Sequence, residues 1–247
     1  MTGQIVMPKR PALLALLALA LLAPGAAASA GELIVVEARG VSFKPGQKID
    51  DGQKLTLRDG QKLTLIAANG RTLKLAGPYD QAPSAEGAAE DTLSKATAAF
   101  DALKVQKTAR LTEIGTVRAV FNEVPEPWVL DAEHEGNLCV REGERLVFWR
   151  KNAGAAAEFV LTPSDRSWSA RNTWPAGANR LEIPTLFPIR DKASYVVRLG
   201  GKEVSVTLNV IPAVASSDVV RASWMYEKGC MAQAAELAKT IGQPGAR

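Results

Sequence analysis

The sequence predicts a mainly β protein in which a small β-domain precedes a β-sandwich, with a linker helix between them and a short C-terminal helical segment. Three observations predict this class. Leucines alternate with polar residues over 52–75, short apolar runs punctuated by Gly and Pro follow over 128–211, and helical spacing of apolar residues appears over 93–103 and near the C-terminus. The implied boundaries are a leader over 1–30, the β-domain over 31–83, the linker over 84–124 and the sandwich with its C-terminal helices over 125–247.

The first thirty residues have the three parts of a secretory signal peptide. Lys9 and Arg10 form a positive region, residues 12–23 are an Ala/Leu run too short to span a bilayer, and an Ala-Ser-Ala cleavage pattern ends at Ala30. Cleavage there leaves Gly31 as the mature N-terminus. We therefore expect an exported protein, periplasmic or secreted, and no membrane span after cleavage, because no later apolar run approaches twenty residues.

Charge argues against a nucleic-acid partner. The net charge of +4 falls to +2 when Lys9 and Arg10 leave with the signal peptide. Nucleic-acid surfaces are typically rich in Lys and Arg interleaved with aromatic residues. No such run follows Ala30.

The β-domain contains the same hexapeptide twice. Gly-Gln-Lys-Leu-Thr-Leu occurs at 52–57 and again at 60–65, and both copies alternate polar and apolar residues. Asp59-Gly60 and Asn69-Gly70 are dipeptides typical of tight hairpins. We therefore predict a three-stranded meander over 52–75.

The segment that ends this unit, Gly-Arg-Thr-Leu-Lys-Leu-Ala-Gly-Pro-Tyr at 70–79, makes residues 40–80 resemble the periplasmic FecR-type β-domain of bacterial envelope proteins. Signalling members of that family also have a transmembrane helix and a cytoplasmic anti-sigma region, and this sequence shows neither, so direct anti-sigma activity is not expected. The resemblance implies a domain that contacts proteins or cell-wall material and does not catalyse a reaction.

In the second half of the chain, proline and glycine residues mark the boundaries of the predicted strands. Pro125-Glu126-Pro127 enforces an extended boundary after the linker helix. Seven candidate strands lie over 128–211, with a possible eighth over 168–171, and Gly200-Gly201 is the clearest hairpin turn. Two helices are expected after it, the first capped by one of residues 216–218 and broken near Gly229.

The two cysteines, Cys139 and Cys230, predict one structural disulfide. An exported protein meets an oxidising compartment, and the chain has no C-x-x-C pair and no His beside either cysteine. Closing a loop of about 90 residues contributes on the order of 4 to 5 kcal/mol in the chain-entropy model. The bond is expected to fasten the C-terminal segment to the sandwich.

Enzymatic and metal chemistry find little support. His134 is the single histidine, and its acidic neighbours Glu133 and Glu135 alternate faces in an extended chain, so a solvated turn explains it better than a metal site. No motif of a serine hydrolase, β-lactamase or zinc protease occurs. A glycosidase stays open as an alternative, because its two catalytic carboxylates can be far apart in the sequence. We expect no enzyme, no cofactor and no metal.

The positions of the tryptophans and arginines predict one contact surface. Trp168 and Trp174 lie in a polar stretch with Arg171 and Arg180 nearby, whereas Trp149 and Trp224 lie in apolar contexts and are expected in the core. Exposed indoles stack on sugars or anchor protein partners, although indoles at strand ends also simply cover the edge of a sandwich.

These features predict a non-catalytic periplasmic adaptor or scaffold. Its partner is expected to be another periplasmic or outer-membrane protein, bound through β-strand edges or the Trp/Arg surface. The alternative is a module that binds peptidoglycan or another polysaccharide, and an unrecognised exported hydrolase is third. A glycan binder requires exposed, coplanar Trp rings, and an enzyme requires a deep pocket with clustered carboxylates.

Overall fold

A computed structural model describes residues 31–83, 123–184 and 188–241, and it is mainly β, as the sequence predicts. The predicted signal peptide and nearly all of the predicted linker helix lie outside these residues. The strands of the first half are β1 (Glu32–Arg39), β2 (Lys48–Asp50), β3 (Leu55–Leu57), β4 (Lys62–Ala67), β5 (Thr72–Ala76) and β6 (Tyr79–Gln81). Those of the second half are β7 (Leu130–Asp131), β8 (Gly136–Arg141), β9 (Leu146–Trp149), β10 (Ala157–Pro163), β11 (Ala170–Trp174), β12 (Arg180–Ile183), β13 (Ala193–Leu199) and β14 (Lys202–Ile211).

The N-terminal unit is a four-stranded antiparallel sheet in the order β2-β1-β4-β5, with β3 and β6 paired separately. Its core consists of alternate residues from both sheets. They are Leu33, Val35, Ile49, Leu55, Leu57, Leu63, Leu65, Ala67 and Leu73. The intervening residues of β1, Ile34 and Val36, are also buried, so this strand has apolar neighbours on both faces.

The predicted three-stranded meander is wrong for the first hexapeptide copy. β3 pairs with β6 and not with β4, while the second copy forms β4 between β1 and β5. The place beside β4 is taken by β1, which offers a longer ladder and is apolar on both faces. The hairpin at Asn69-Gly70 is confirmed, with Ala67 N–H donating to the Arg71 carbonyl at 2.9 Å and Gly70 at a φ of 81°.

The second half forms the predicted β-sandwich. A five-stranded sheet in the order β11-β10-β13-β14-β8 faces a three-stranded sheet in the order β12-β9-β7. Between them lie Phe148, Phe159, Leu161, Trp174, Tyr195, Val197 and Leu208, among others. Tyr195 Oη accepts a hydrogen bond from the Arg190 backbone N–H at 3.2 Å, an arrangement similar to the tyrosine corner of immunoglobulin-like sandwiches.

Two helices end the described chain, α1 (Asp218–Glu227) and α2 (Met231–Ile241). Ser217 caps α1 by accepting a hydrogen bond from the Val220 N–H, and Gly229, at a φ of 77°, separates the helices, as predicted. No helix among the described residues is both long enough and apolar enough to cross a membrane.

The helices pack against both β units through a common core. Trp224, Met225 and Leu237 lie with Ile34, Val36 and Ile66 of the N-terminal sheet and with Cys139 and Ile211 of the sandwich. The predicted disulfide is confirmed between Cys139 and Cys230, whose Cα atoms are 5.8 Å apart. It joins β8 to the start of α2, and such a bond is consistent with an oxidising compartment.

Candidate functional site

The two edges of the five-stranded sheet differ in how they are covered. At the β8 edge, the side chain of Gln233 in α2 replaces a neighbouring strand: its Oε1 accepts from the Cys139 N–H at 2.7 Å and its Nε2 donates to the Cys139 carbonyl at 2.8 Å. Nε2 also donates to the Pro127 carbonyl at 3.0 Å. Gln233 is fully buried, so the backbone of Cys139 is closed to any partner.

At the opposite edge, β11 turns backbone groups outward. The Glu158 carbonyl accepts from the Gly200 N–H at 3.0 Å, so the peptide groups of Glu158 face β13. Because backbone groups alternate in direction along a strand, the antiparallel register of β10 with β11 directs the N–H and C=O groups of Thr173 and Arg171 away from β10. No backbone group of the described residues hydrogen-bonds to them there.

Among the described residues, the β11 edge has only one of the usual protections, a charged side chain. The register from Leu161–Ala170 to Ala157–Trp174 has no bulge, β11 contains no proline, and its one charged side chain is Arg171. Strand edges that are not blocked in these ways are templates for pairing with another chain. Within residues 31–83, 123–184 and 188–241, β11 is therefore the edge of this sheet whose outward backbone groups have no backbone partner.

Trp168 lies two residues before β11 and lines a small open pocket of about 190 Å³. Its half-buried ring is 6.0 Å from that of Tyr195, centroid to centroid, and packs on the sandwich core. Asp165 lines the same pocket, and the hydroxyl and backbone N–H of Ser167 lower its pKa by hydrogen-bonding to the carboxylate. Arg190 lies 3.7 Å from Asp165.

Trp174 does not belong to the predicted contact surface, because it is fully buried. Its indole N–H donates to the Ala178 carbonyl at 2.9 Å, and its ring meets that of Phe159 edge-on at 5.7 Å. The guanidinium of Arg150 lies 5.0 Å from the centre of its ring. The polar sequence around Trp174 misled the prediction, since the neighbours that bury the ring come from other strands. A coplanar pair of exposed indoles with Trp168 is thereby excluded.

The two predicted arginines are exposed but lie on different sheets. Arg171 on β11 pairs with Glu158 at 2.8 Å, and Arg180 on β12 pairs with Glu126 at 3.1 Å. The structure thus places Arg171 and Arg180 on different sheets of the sandwich.

A second pocket, which the sequence did not indicate, has a volume of about 450 Å³ and lies where β8 turns into β9. Trp128 is half-buried in its wall, and the guanidinium of Arg141 lies over the indole ring at 4.4 Å from the centroid. Val140, Leu146, Val147, Glu144, Arg145 and Glu182 complete most of the lining. Trp128 and Arg141 are thirteen residues apart, and no periodicity connects them.

His134 has a local role in a turn. Its Nδ1 is 2.8 Å from Oδ2 of the buried Asp131, which also accepts from the Glu133 N–H. Among the described residues no three His, Cys, Asp or Glu side chains are grouped as a metal site would require. No protein-family model matches this chain, and no curated protein matches it, so the FecR-type resemblance stays a prediction from the residues that suggest it.

Proposed function

We propose that this protein is an exported, periplasmic, non-catalytic adaptor that binds an extended segment of another envelope protein by strand addition at β11. The observation that carries the proposal is the contrast between the two edges of one sheet. The side chain of Gln233 pairs with the Cys139 backbone of β8, whereas Thr173 and Arg171 direct backbone groups outward from β11. Main-chain hydrogen bonds supply affinity in this binding mode, and side-chain contacts supply specificity.

The surroundings of β11 define what the added strand would meet. Its backbone would bond to Thr173 and Arg171, and its end would lie near the half-buried ring of Trp168. The Arg171–Glu158 ion pair leaves this face without net charge, so a segment of polar and apolar residues fits better than a highly charged one. The burial of Trp174 removes one of the two rings on which a glycan-binding function rested.

Strand addition at β11 can be tested by placing a proline at residue 173, whose backbone N–H faces outward. Thr173→Pro removes that donor without breaking a bond to β10, so the variant should fold with the wild-type melting temperature. Thr173→Val keeps the N–H and the shape of the side chain and is the matched control. The partner is captured in native cells by a photo-crosslinker placed at position 172. We expect wild type and Thr173→Val to capture the same protein, and Thr173→Pro to capture about tenfold less of it. The reason is that a lost donor and a steric block together cost at least about 1.4 kcal/mol of binding free energy.

Equal capture by the proline and valine variants would overturn strand addition at β11. Capture of glycan strands without a protein, in all three forms, would instead support the polysaccharide-binding alternative.

A further inference from the structure

The pocket at the β8–β9 corner combines an apolar wall with the guanidinium of Arg141, which forms a loose ion pair with Glu144 and no hydrogen bond with a described residue. Val140 and Leu146 are buried in this wall, and Val147 and Trp128 are half-buried. At about 450 Å³, the pocket falls in the size range of small-molecule sites. None of its features takes part in strand addition at β11.

Arg141 is oriented before any ligand arrives. Its backbone is fixed by the parallel pairing of β8 with β14, and the central carbon of its guanidinium lies over the Trp128 ring, 4.4 Å from the centroid. Among the described residues it forms an ion pair with Glu144, whose carboxylate oxygen is 3.6 Å from Nη2 and so beyond hydrogen-bond distance. No described residue accepts a hydrogen bond from this guanidinium, and Arg141 lines the pocket. A ligand carboxylate there would compete only with the loose ion pair to Glu144.

The charges around Arg141 restrict the class of ligand. Arg145 donates to Glu182 at 3.1 Å, and the lining contains two arginines and two glutamates, so the pocket has no net positive charge. A dianionic phosphate would therefore meet repulsion from Glu144 and Glu182. A single carboxylate matches the fork of one guanidinium, which it can bind in bidentate geometry.

We propose that this pocket binds a carboxylate attached to a small apolar group, as at the C-terminus of a peptide. The carboxylate would lie against Arg141, and the apolar side chain would lie beside the half-buried Val147 and Trp128. This site is separate from the β11 edge, at the other side of the five-stranded sheet.

The probe is N-acetyl-leucine, with N-acetyl-leucinamide as its uncharged counterpart. Binding is followed by NMR through the indole N–H of Trp128, which is assigned with a Trp128→Phe variant. We expect the acid to shift this signal with a Kd at least about tenfold lower than that of the amide, since a charge-assisted bidentate pair is lost in the amide. Arg141→Met should abolish the difference, and Arg141→Lys, which keeps the charge but loses the fork, should reduce it.

Arg171→Met, an exposed arginine on β11, is the matched control and should bind the acid as wild type does. Thr173→Pro should also bind the acid normally, which separates this site from the proposed adaptor function. Equal affinity for acid and amide in the wild-type protein, or no shift with either, would overturn the proposal without reliance on any variant's folding.

Discussion

Arg150 shows how a single buried residue organises a loop. Its Nη2 donates to the Pro175 carbonyl at 2.7 Å and its Nε to the Ala178 carbonyl at 3.1 Å, while its guanidinium covers the ring of Trp174. No acidic side chain of the described residues pairs with it. Arg150 therefore donates hydrogen bonds to two carbonyls of the β11–β12 loop. Its contact with the Trp174 ring also supports the C-terminal end of β11.

Replacing Arg150 should destabilise the protein markedly. In Arg150→Met the Pro175 carbonyl loses its charged donor, and we expect the free energy of unfolding to fall by about 2 to 3 kcal/mol in urea titrations. Arg171→Met, which removes an exposed ion pair, should change it by less than about 1 kcal/mol. Similar losses in the two variants would show that the loop carbonyls gain little from Arg150.

At the scale of single elements, identical sequence does not produce identical pairing. The two Gly-Gln-Lys-Leu-Thr-Leu copies contribute Leu55 and Leu57 or Leu63 and Leu65 to the same core, yet one lies in a two-stranded sheet and the other at the centre of a four-stranded sheet. Alternation predicts which side chains are buried, because it specifies the faces of a strand. It does not specify the neighbour, which depends on β1 and β6.

The hydrogen bonds of Gln233 to the backbone of β8 can be tested with an isosteric substitution. Gln233→Glu keeps the shape but places a carboxylate against the Cys139 and Pro127 carbonyls, to which Gln233 now donates. We expect a loss of about 3 kcal/mol at pH 7. The buried carboxyl should have a raised pKa, so the folded state retains a proton that the unfolded state has released, and the loss should shrink as pH falls toward 4.

Urea unfolding of wild type and Gln233→Glu between pH 4 and 8 measures this gap. A gap that stays constant over that range would mean that the introduced carboxyl reaches solvent and that Gln233 does not seal the edge.

At the scale of the whole molecule, the C-terminal helices hold the two β units together. Ser223 Oγ donates to the Gly70 carbonyl at 2.6 Å, and Lys228 Nζ donates to the Val36 carbonyl at 2.9 Å, while the disulfide connects the same helical pair to β8. Burial lowers the pKa of Lys228, and the nearby Lys192 of the sandwich adds to this. Charged and apolar contacts from both units therefore converge on the helices.

This common core should make unfolding cooperative. We expect the urea transitions of the oxidised protein, followed by far-UV circular dichroism and by Trp fluorescence, to coincide. The Cys139→Ala, Cys230→Ala double variant should lose about 4 kcal/mol, since a loop spanning 91 residues is no longer closed. Two separate transitions in the oxidised protein would show that the β units fold independently.

The sequence by itself determined the mainly β class, the sandwich, the Asn69-Gly70 hairpin, the helix cap near Ser217 and the Cys139–Cys230 bond. Each of these rests on local turn chemistry, on alternation along one strand, or on the chemistry of a lone cysteine pair. Tertiary structure alone decided the pairing of β3 with β6, the burial of Trp174, the closed and open edges of the sandwich, and the meeting of Trp128 with Arg141. These depend on which distant segments lie side by side, and the periodicity of a single segment carries no information about its neighbours.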